Sequence, residues 1–435
     1  MSSLYPVTHR LINHPIIQHI LHIIKHTTNS IRIVLYKLYA SALQHQYVSG
    51  TVGASVMLLL YISIRALRKI THRYTRDLST TDIQGKVYDY IIIGAGSSGA
   101  VLANRLSANA DINVLLLEAG GYDNELMHHI PLAALAQQLS PCDWQYKTTT
   151  QKYSQYGNNN NISHWPRGRV MGGCSTTNYM LYVRGNADDY NRYNKLYNCN
   201  GWSYDDMLPY FKRMETVDNS VRYDKSLRGT NGPMHTQQLP TPGQATLSFI
   251  DACKQAGLQY NHDYNGTTQY GISHSQVSHY QSRRWNTSSG YIIPVLHRPN
   301  LHIKAYTTCA RVLFDGNKHA NGIVYKTGIT QSDVADSVDQ YVYCKQEVIL
   351  SAGAIGSPQI LQLSGIGDSK LLSALNIPVI VDNPAVGNNL QDHLFAPLSY
   401  ECKISTISPT DETLLNVIKW FHGMLHRIYC TYINI

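Results

Sequence analysis

The sequence predicts an α/β protein with a doubly wound, Rossmann-like domain. Residues 88–118 have the pattern of a buried strand, a glycine-rich turn, a helix and a second strand. Residues 301–324 contain two further strand patterns around an Asp315–Gly316 turn. The apolar run of residues 347–355 is typical of another buried strand. Strands that alternate with helices favour a parallel sheet with helices on both faces.

The glycine-rich turn after the first strand predicts a dinucleotide-binding site. Gly94 permits a tight turn, Gly96 lets the backbone approach a pyrophosphate, and Gly99 lets the helix pack on the strand. The helix N-terminus supplies free N–H groups and a positive dipole end for phosphates. The second strand ends at Glu118, where a carboxylate is placed to accept hydrogen bonds from an adenosine ribose.

The strand at residues 347–355 is predicted to run directly into a helix. Ser357 is the expected N-cap and Pro358 the expected first helical residue. Serine favours the cap position because its hydroxyl accepts from a free helix N–H. Proline suits the first helical position because its missing N–H would have no partner there.

The positive charge of the chain is concentrated at its N-terminus. The net charge is +8, and residues 1–76 carry nine Lys or Arg and no Asp or Glu. The rest of the chain has nearly equal numbers of basic and acidic residues. A basic leader on a nearly neutral globular part argues against a nucleic-acid partner.

Within this leader, residues 47–64 form an uncharged apolar stretch followed by several arginines. As a helix it would span about 27 Å, which is marginal for a hydrocarbon core of about 30 Å. Three interpretations are open: a single membrane anchor, an acid-free mitochondrial leader, or a cleaved secretory signal. The long polar region before the apolar stretch disfavours the signal. With an anchor, the positive-inside rule leaves the downstream chain on the cytoplasmic or matrix side.

The cysteine pattern predicts free thiols and no metal site. The eight cysteines are scattered, without a CxxC pair or a His–Cys cluster at zinc-ligand spacing. Free thiols are typical of a reducing compartment. Glycosylation sequons at Asn161, Asn265 and Asn286 favour secretion, but such short motifs often arise by chance.

Three further motifs carry a resemblance to a known family. Residues 168–185 read GRVMGGCSTTNYMLYVRG, residues 351–367 read SAGAIGSPQILQLSGIG, and residues 386–393 read VGNNLQDH. Together with the glycine-rich unit they resemble the glucose–methanol–choline (GMC) oxidoreductases, flavoproteins that oxidise alcohols. The resemblance covers roughly residues 87–419 and is closest to the choline-oxidising branch.

This resemblance implies an FAD-binding domain with an incomplete α+β substrate domain. Residues 87–395 would form the FAD-binding region with interleaved substrate-domain segments, and residues 396–435 would begin the rest of the substrate domain. The implied FAD-binding residues are Gly94, Gly96, Ser97, Ser98, Gly99, Glu118, Arg169, Val170, Gly172, Gly173, Asn178, Tyr179, Met180, Leu181 and Val312.

The family assigns roles to these residues. Ser97 and Ser98 would contact the pyrophosphate, and the loop of residues 169–173 would lie against the pyrophosphate and flavin. Residues 178–181 would face the isoalloxazine. Val312 would meet the adenine through its backbone, although an ordinary strand valine is the alternative.

Position 177 bears on how FAD is held. Some family members attach FAD covalently through a histidine in this motif, but this chain has Thr177. The resemblance therefore implies non-covalent FAD.

The resemblance also implies a small-molecule alcohol substrate, whose oxidation needs a hydride acceptor and a base. In the family the base is a histidine in a C-terminal HPxGTxRMG-like motif, which this sequence does not contain. We interpret His393 as a structural part of the NLQDH turn and assign no catalytic residue and no electron acceptor.

Two functional hypotheses follow. In the first, an FAD-dependent alcohol dehydrogenase is represented without its catalytic end; this chain alone would bind FAD weakly and turn over negligibly. In the second, the chain is a non-catalytic FAD-binding remnant or interaction module. An NAD-linked dehydrogenase is disfavoured because the three further motifs would have no role in it.

Overall fold

The computed structural model describes residues 82–238, 243–393 and 401. The α-helices are α1 (Ser97–Leu106), α2 (Ala134–Gln137), α3 (Cys174–Thr177), α4 (Ala187–Tyr197), α5 (Tyr204–Met214), α6 (Gln244–Gln255), α7 (Gln331–Asp336), α8 (Gly353–Leu363) and α9 (Ser369–Ala374). The strands are β1 (Val87–Ile93), β2 (Val114–Leu117), β3 (Tyr146–Lys147), β4 (His164–Trp165), β5 (Glu215–Val217), β6 (Met234–Gln238), β7 (Gln276–Val277), β8 (His279–Tyr280), β9 (Arg283–Arg284), β10 (Leu301–Lys304), β11 (Thr307–Phe314), β12 (Ala320–Thr327), β13 (Gln340–Leu350), β14 (Ile366–Gly367) and β15 (Val381–Asp382). Short 3₁₀ helices occur at Leu126–His128, Pro131–Ala133, Asn159–Asn161 and Ile293–Val295, and a π-helical turn at Ser288–Ile292.

A six-stranded sheet with the order β10-β2-β1-β13-β12-β11 forms the centre of the described residues. The first four strands of this order are parallel, and β12 and β11 continue the sheet in antiparallel pairing. From β1 the chain builds outward through β2 and β10, and β13 later pairs with the other side of β1. The β1/β13 boundary is therefore the point of topological reversal, where open α/β sheets bind ligands. The predicted doubly wound class is confirmed.

The central strands separate two apolar cores. Ile92 and Leu116 are fully buried on the face that α1 covers. Ile91 and Leu115 are fully buried on the opposite face, together with Ile360 of α8. Because both faces are covered, these strands appear in the sequence as continuous apolar runs. Each such aliphatic side chain contributes about 1.5–3 kcal/mol by leaving water.

Helix α8 begins earlier than the sequence predicts. Strand β13 ends at Leu350 and α8 starts at Gly353, so Ser357 and Pro358 lie inside the helix. The prediction that they form the helix start was wrong. Gly353 has a φ of +82° and makes the sharp turn from strand to helix. The local capping preference of Ser357 was outweighed by this glycine turn.

A second region, centred on the small sheet β5-β6-β7, contains a buried charged cluster. We define the charged cluster as Arg184, Glu215, Arg228, Asp263 and Gln276. The Glu215 carboxylate accepts from Arg184 and, at 2.8 Å, from Arg228 Nε. Arg228 Nη1 donates to Asp263 at 2.6 Å. Two guanidinium groups therefore face two carboxylates, and their charges balance.

Polar caps define the helices beside this cluster. The Ser203 hydroxyl accepts from the Asp206 N–H, and the Asp206 carboxylate accepts in return from the Ser203 N–H, which makes a capping box for α5. The Asn186 side chain accepts from the Asp188 N–H at the start of α4. A cap of this kind contributes about 1 kcal/mol.

Several sequence predictions fall outside the described residues, among them the basic leader (residues 1–76), its apolar stretch (residues 47–64) and nearly all of residues 396–435. In the part of the chain that the structure describes, no helix has both the length and the apolar character needed to cross a membrane. The side chains of Asn265 and Asn286 are buried, which excludes both sequons from glycan attachment in the folded chain.

Candidate functional site

The turn after β1 has the tight geometry that the sequence predicts. Gly94 has a φ of +96°, and a Cβ there would lie 2.5 Å from the carbonyl oxygen of Ser351. Only glycine combines this backbone conformation with this close approach. A Cβ on Gly99 would overlap the carbonyl oxygen of Gly94, so the third glycine packs α1 against the turn. The turn therefore packs directly against the end of β13.

A second glycine loop, residues 168–173, meets the first. The Gly172 N–H donates to the Ala95 carbonyl oxygen at 2.8 Å. Gly173 has a φ of +54°, and a Cβ there would lie 2.7 Å from Gly96 Cα. A Cβ on Gly96 itself would have its nearest neighbour at 3.9 Å. The two loops therefore touch through their backbones, and this wall lacks side chains that would hold a ligand away.

Helix α1 begins at this wall. Its N-cap, Gly96, provides no side-chain hydrogen bond to the first helical N–H groups, and the first turn contains no acidic residue. Ser97 and Ser98 line the adjoining cleft. Unpaired N–H groups and the positive end of the helix dipole favour an anion at this position.

Glu118 follows β2 and joins two backbone turns. Its Oε2 accepts from the Ala95 N–H and its Oε1 from the Gly120 N–H, both at 2.9 Å. Burial raises the pKa of Glu118 to about 7, although these hydrogen bonds and the Arg169 charge act in the opposite direction. Each carboxylate oxygen has a second lone pair. The hydrogen bond from a ribose hydroxyl stays a prediction, and the geometry permits it.

These turns line one cleft of about 500 Å³ at the carboxyl ends of β1, β2 and β13. The predicted site residues that line it are Gly94, Gly96, Ser97, Ser98, Glu118 and Gly173. The predicted residues that do not line it are Gly99, Arg169, Val170, Gly172, Asn178, Tyr179, Met180, Leu181 and Val312. The structure thus brings the first glycine turn, the acidic residue and the second glycine loop together.

Arg169 supports the cleft from outside its lining. Its Nη1 donates to the Ile329 carbonyl oxygen at 2.9 Å, and its guanidinium carbon lies 5.4 Å from the centroid of the Trp144 ring. Its Nε is buried and has no hydrogen-bond partner among the described residues. Burial lowers the pKa of Arg169, and the Glu118 carboxylate opposes that shift. Arg169 therefore supplies positive charge near Glu118.

Val312 packs away from the cleft. Its side chain belongs to the apolar core that contains Ile91, and its N–H donates to the Ser364 hydroxyl at 2.8 Å. The residues of β11 that line the cleft are Thr307, Thr308 and Cys309. The strand is the predicted one, but its cleft-lining residues do not include Val312. The alternative interpretation of Val312, an ordinary strand valine, fits these surroundings.

Two further groups line the cleft without having been predicted. The first is Trp144 and Tyr146, whose rings stack at a centroid distance of 5.8 Å, together with Arg167. The second is residues 351–357 at the start of α8. The SAGAIGSP motif contains this second group, but the misplaced helix start concealed its position. The aromatic pair has no comparable signal in the sequence.

Residues 178–184 form a non-helical segment with two unlike faces. The inward side chains are buried or half-buried: Met180, Tyr182 and Arg184. The outward side chains are exposed and apolar: Tyr179, Leu181 and Val183. Tyr182 donates to Glu215 at 2.9 Å, which ties the segment to the charged cluster. The segment is therefore anchored on one face and open on the other.

The cleft fits a dinucleotide rather than a metal ion. Its donors are backbone N–H groups at a helix start, and its acidic residue lies at the end of the second strand. This is the donor set that binds a pyrophosphate and a ribose. Among the described residues, no three His, Cys, Asp or Glu side chains come together as metal ligands.

The cleft lies in a region that matches a family of known proteins. A family model described as GMC oxidoreductase matches residues 88–395. That range contains β1 except Val87, both glycine loops, Glu118 and α8, so every wall of the cleft is inside the match.

Curated relatives cover the same region. The chain is 39% identical to "Choline dehydrogenase, mitochondrial" of Mus musculus over 322 residues. These aligned residues cover 72% of this chain and 51% of the relative. It is 38% identical over 334 residues to "Oxygen-dependent choline dehydrogenase" of Sinorhizobium fredii, with 77% of this chain and 56% of the relative covered. The chain spans about half the length of the curated relatives it matches.

Solved structures share the fold. An FAD-dependent oxidoreductase from Chaetomium thermophilum superposes with a TM-score of 0.63 and 34% identity, over 70% of this chain and 52% of that one. A formate oxidase from Aspergillus oryzae superposes with a TM-score of 0.64 and 28% identity, over 72% and 53% of the two chains.

Proposed function

Because the chain belongs to the GMC oxidoreductase family, we propose that its cleft holds FAD and that the whole protein oxidises the CH–OH group of a small alcohol. The observation that carries this proposal is the family match over residues 88–395, which contains every wall of the cleft. FAD, when bound, accepts the hydride that leaves the alcohol carbon.

Different residues would contact different parts of FAD. The backbone at Gly96, Ser97 and Ser98 would bind the pyrophosphate at the positive end of α1. Glu118 would accept from the ribose, and Cys309 would stand at the adenosine end. Residues 178–181 would meet the isoalloxazine. Residues 178–181 lie outside the cleft lining, so their proposed role is supported by the family resemblance alone.

We propose that FAD is bound without a covalent link. Thr177 occupies the position at which the resemblance places an attaching histidine, and its side chain is buried. A threonine hydroxyl lacks the nucleophilic ring nitrogen that histidine provides.

The proposed substrate is choline or a similar small alcohol, supported by choline dehydrogenases that are 37–41% identical to this chain. Burial lowers the pKa of His128 and of His129 to about 4, so neither is a suitable base at neutral pH. His393 is exposed at the NLQDH turn. We therefore assign none of these three histidines to the proton-abstraction step.

The proposed location is mitochondrial and membrane-associated. The relatives of mouse and man carry the word mitochondrial in their names, and the basic leader with its apolar stretch fits an anchor or an import signal.

Gly96→Val tests the proposed cofactor site. A side chain at Gly96 enters open space in the cleft, so it blocks a ligand without overlapping existing atoms. Gly316→Val is the matched control, because a Cβ on Gly316 meets no atom within 4 Å and Gly316 does not line the cleft. The full chain is mixed with FAD and passed through a desalting column, and the flavin absorbance per chain is measured. We expect the parent and Gly316→Val to retain the same amount of flavin per chain, and Gly96→Val to retain at least tenfold less.

Thiol alkylation supplies an independent readout. Cys174 is exposed and lines the cleft, whereas Cys253 lies on α6 outside it. FAD should slow alkylation of Cys174 and leave Cys253 unchanged. Equal flavin retention by Gly96→Val and the parent, with no protection of Cys174, would overturn the cofactor site. Anaerobic bleaching of the retained FAD by choline would exclude the non-catalytic remnant for this chain.

A further inference from the structure

Arg284 is a fully buried arginine that forms no ion pair with any Asp or Glu of the described residues. Burial lowers its pKa to about 10, which still leaves the guanidinium protonated at neutral pH. Its Nε has no hydrogen-bond partner in the described part of the chain. Arg284 therefore places an uncompensated positive charge inside the protein, an arrangement with a high desolvation penalty.

The neighbours of Arg284 do not cancel this charge. His128 and His129 are held neutral by burial, and the positive charge of Arg284 acts in the same direction on both pKa values. Asp123, the carboxylate beside His128, accepts a hydrogen bond from Asn286 at 2.7 Å instead of pairing with Arg284. The positive charge of Arg284 is therefore not paired with a negative side chain.

The guanidinium clamps the start of the 178–184 segment. Arg284 Nη1 donates to the Asn178 carbonyl oxygen at 2.6 Å and to Asn178 Oδ1 at 2.9 Å. The same Oδ1 accepts from the Met180 N–H at 3.0 Å, where Met180 has a left-handed φ of 63°. A non-glycine residue in this conformation persists only when its surroundings hold it there. Arg284 is part of that support.

The hydrogen bond from Arg284 to the Asn178 carbonyl also affects the next backbone donor, the Tyr179 N–H. The Asn178 carbonyl and the Tyr179 N–H belong to one peptide group, so a charged donor on the carbonyl polarises the N–H. No hydrogen-bond acceptor for the Tyr179 N–H is found among the described residues, and Tyr179 is exposed. A ligand against residues 178–181 would therefore meet a strengthened donor with a buried positive charge behind it.

We propose that Arg284 is a positioning residue for the flavin, which fixes the turn at residues 178–181 and favours the reduced ring over the oxidised ring. The inference rests on the proposed function, because it requires the isoalloxazine to lie against this turn. Hydride uptake adds two electrons and one proton, so a neutral ring becomes an anion. A buried cation stabilises that anion by Coulomb attraction, and the oxidised ring gains no comparable benefit.

The test compares three substitutions in the full chain. Arg284→Gln removes the charge, and Arg284→Lys keeps the charge but loses the planar fork. Arg298→Gln is the matched control, because Arg298 also donates only to uncharged oxygens, at Asn104 and Ser107, far along α1 from the turn. Affinities for oxidised and for chemically reduced FAD are measured separately under anaerobic conditions, and the midpoint potential is measured against a reference dye.

We expect Arg284→Gln to lose about tenfold more affinity for reduced than for oxidised FAD, which lowers the two-electron potential by about 30 mV. Arg284→Lys should weaken both affinities and hold their ratio within about threefold of the parent. Arg298→Gln should leave the ratio unchanged. If Arg284→Gln weakens both forms equally, the charge has no role and the proposal is overturned.

Hydrogen–deuterium exchange of the FAD-free chain tests the clamp without the cofactor. Arg284→Gln should speed exchange of the Met180 amide, and Arg298→Gln should not. Unchanged exchange at Met180 would overturn the positioning role. If the parent chain bound neither form of FAD, the proposed function and the redox part of this inference would fall together, and exchange would still decide the clamp.

Discussion

The charged cluster and the Arg284 site bury the same guanidinium group in opposite ways. In the cluster, Arg228 donates to the carboxylates of Glu215 and Asp263. Arg284 donates only to uncharged oxygens, those of Asn178 and the Pro131 carbonyl. The side chains of Arg228 and Arg284 are both about 1% exposed, so the contrast lies in their partners.

This contrast separates structural anchoring from electrostatic influence. A balanced cluster has little net charge to act on a ligand, and breaking it leaves an unpaired buried ion. An unbalanced guanidinium is less favourable for the fold but projects a positive charge towards its surroundings. Both groups hold the 178–184 segment, the cluster through Tyr182 and Arg184, and Arg284 through Asn178.

The largest expected effect on stability comes from a substitution in the charged cluster. Glu215→Gln leaves Arg184 and Arg228 buried without a shared carboxylate, and we expect a loss of about 3–5 kcal/mol in the free energy of unfolding. Urea denaturation measures it. Glu347→Gln, at an exposed carboxylate, is the control and should change stability by less than about 0.5 kcal/mol. A loss below about 1 kcal/mol for Glu215→Gln would show that the cluster is not an anchor.

The next effect concerns acid sensitivity beside Arg284. Burial lowers the pKa of His128 from 6.5 to about 4. A base with a lowered pKa in the folded state contributes stability that is complete above pH 6.5 and is lost as the pH falls through 4. Between pH 7 and 4 the parent should therefore lose up to about 3 kcal/mol more than His128→Asn. If the free energy of unfolding had the same pH dependence in the parent and in His128→Asn, the lowered pKa of His128 would be disproved.

Replacing each of the two arginines by Gln compares the two sites directly, and Arg284→Gln has the smallest expected effect on stability. Arg284→Gln loses hydrogen bonds but also removes an uncompensated charge, so we expect a loss of about 1–2 kcal/mol. Arg228→Gln leaves two carboxylates unpaired and should lose about 3–5 kcal/mol. Urea unfolding of both variants provides the comparison. Equal losses would mean that Arg284 has an anionic partner equivalent to Glu215.

Local patterns predicted the part of the site that local chemistry determines. The glycine turn at Gly94, the start of α1 and the terminal Glu118 follow from backbone sterics within one short stretch. The lining by residues 307–309 rather than by Val312 depends on which β11 residues reach the cleft, and strand periodicity alone does not give those positions. The start of α8 was misplaced because Ser357 and Pro358 resemble a helix start.

The charged cluster and the Arg284 clamp could not be predicted in this way. Glu215 joins Arg184 and Arg228 from separate segments, and Arg284 reaches Asn178 from β9. No periodicity or spacing in the sequence records such pairings. A buried arginine also resembles a surface arginine in sequence, because burial depends on the tertiary packing around it.

The contact between Gly96 and Gly173, with Ser351 closing against Gly94, has a consequence for the cellular abundance of the chain. The cleft exists only after three distant segments have assembled, so the unfolded chain has no site for the cofactor. By mass action, a ligand at one hundred times its dissociation constant adds about 2.7 kcal/mol to the free energy of unfolding. Flavin supply would thereby set the fraction of chains that escape proteolysis.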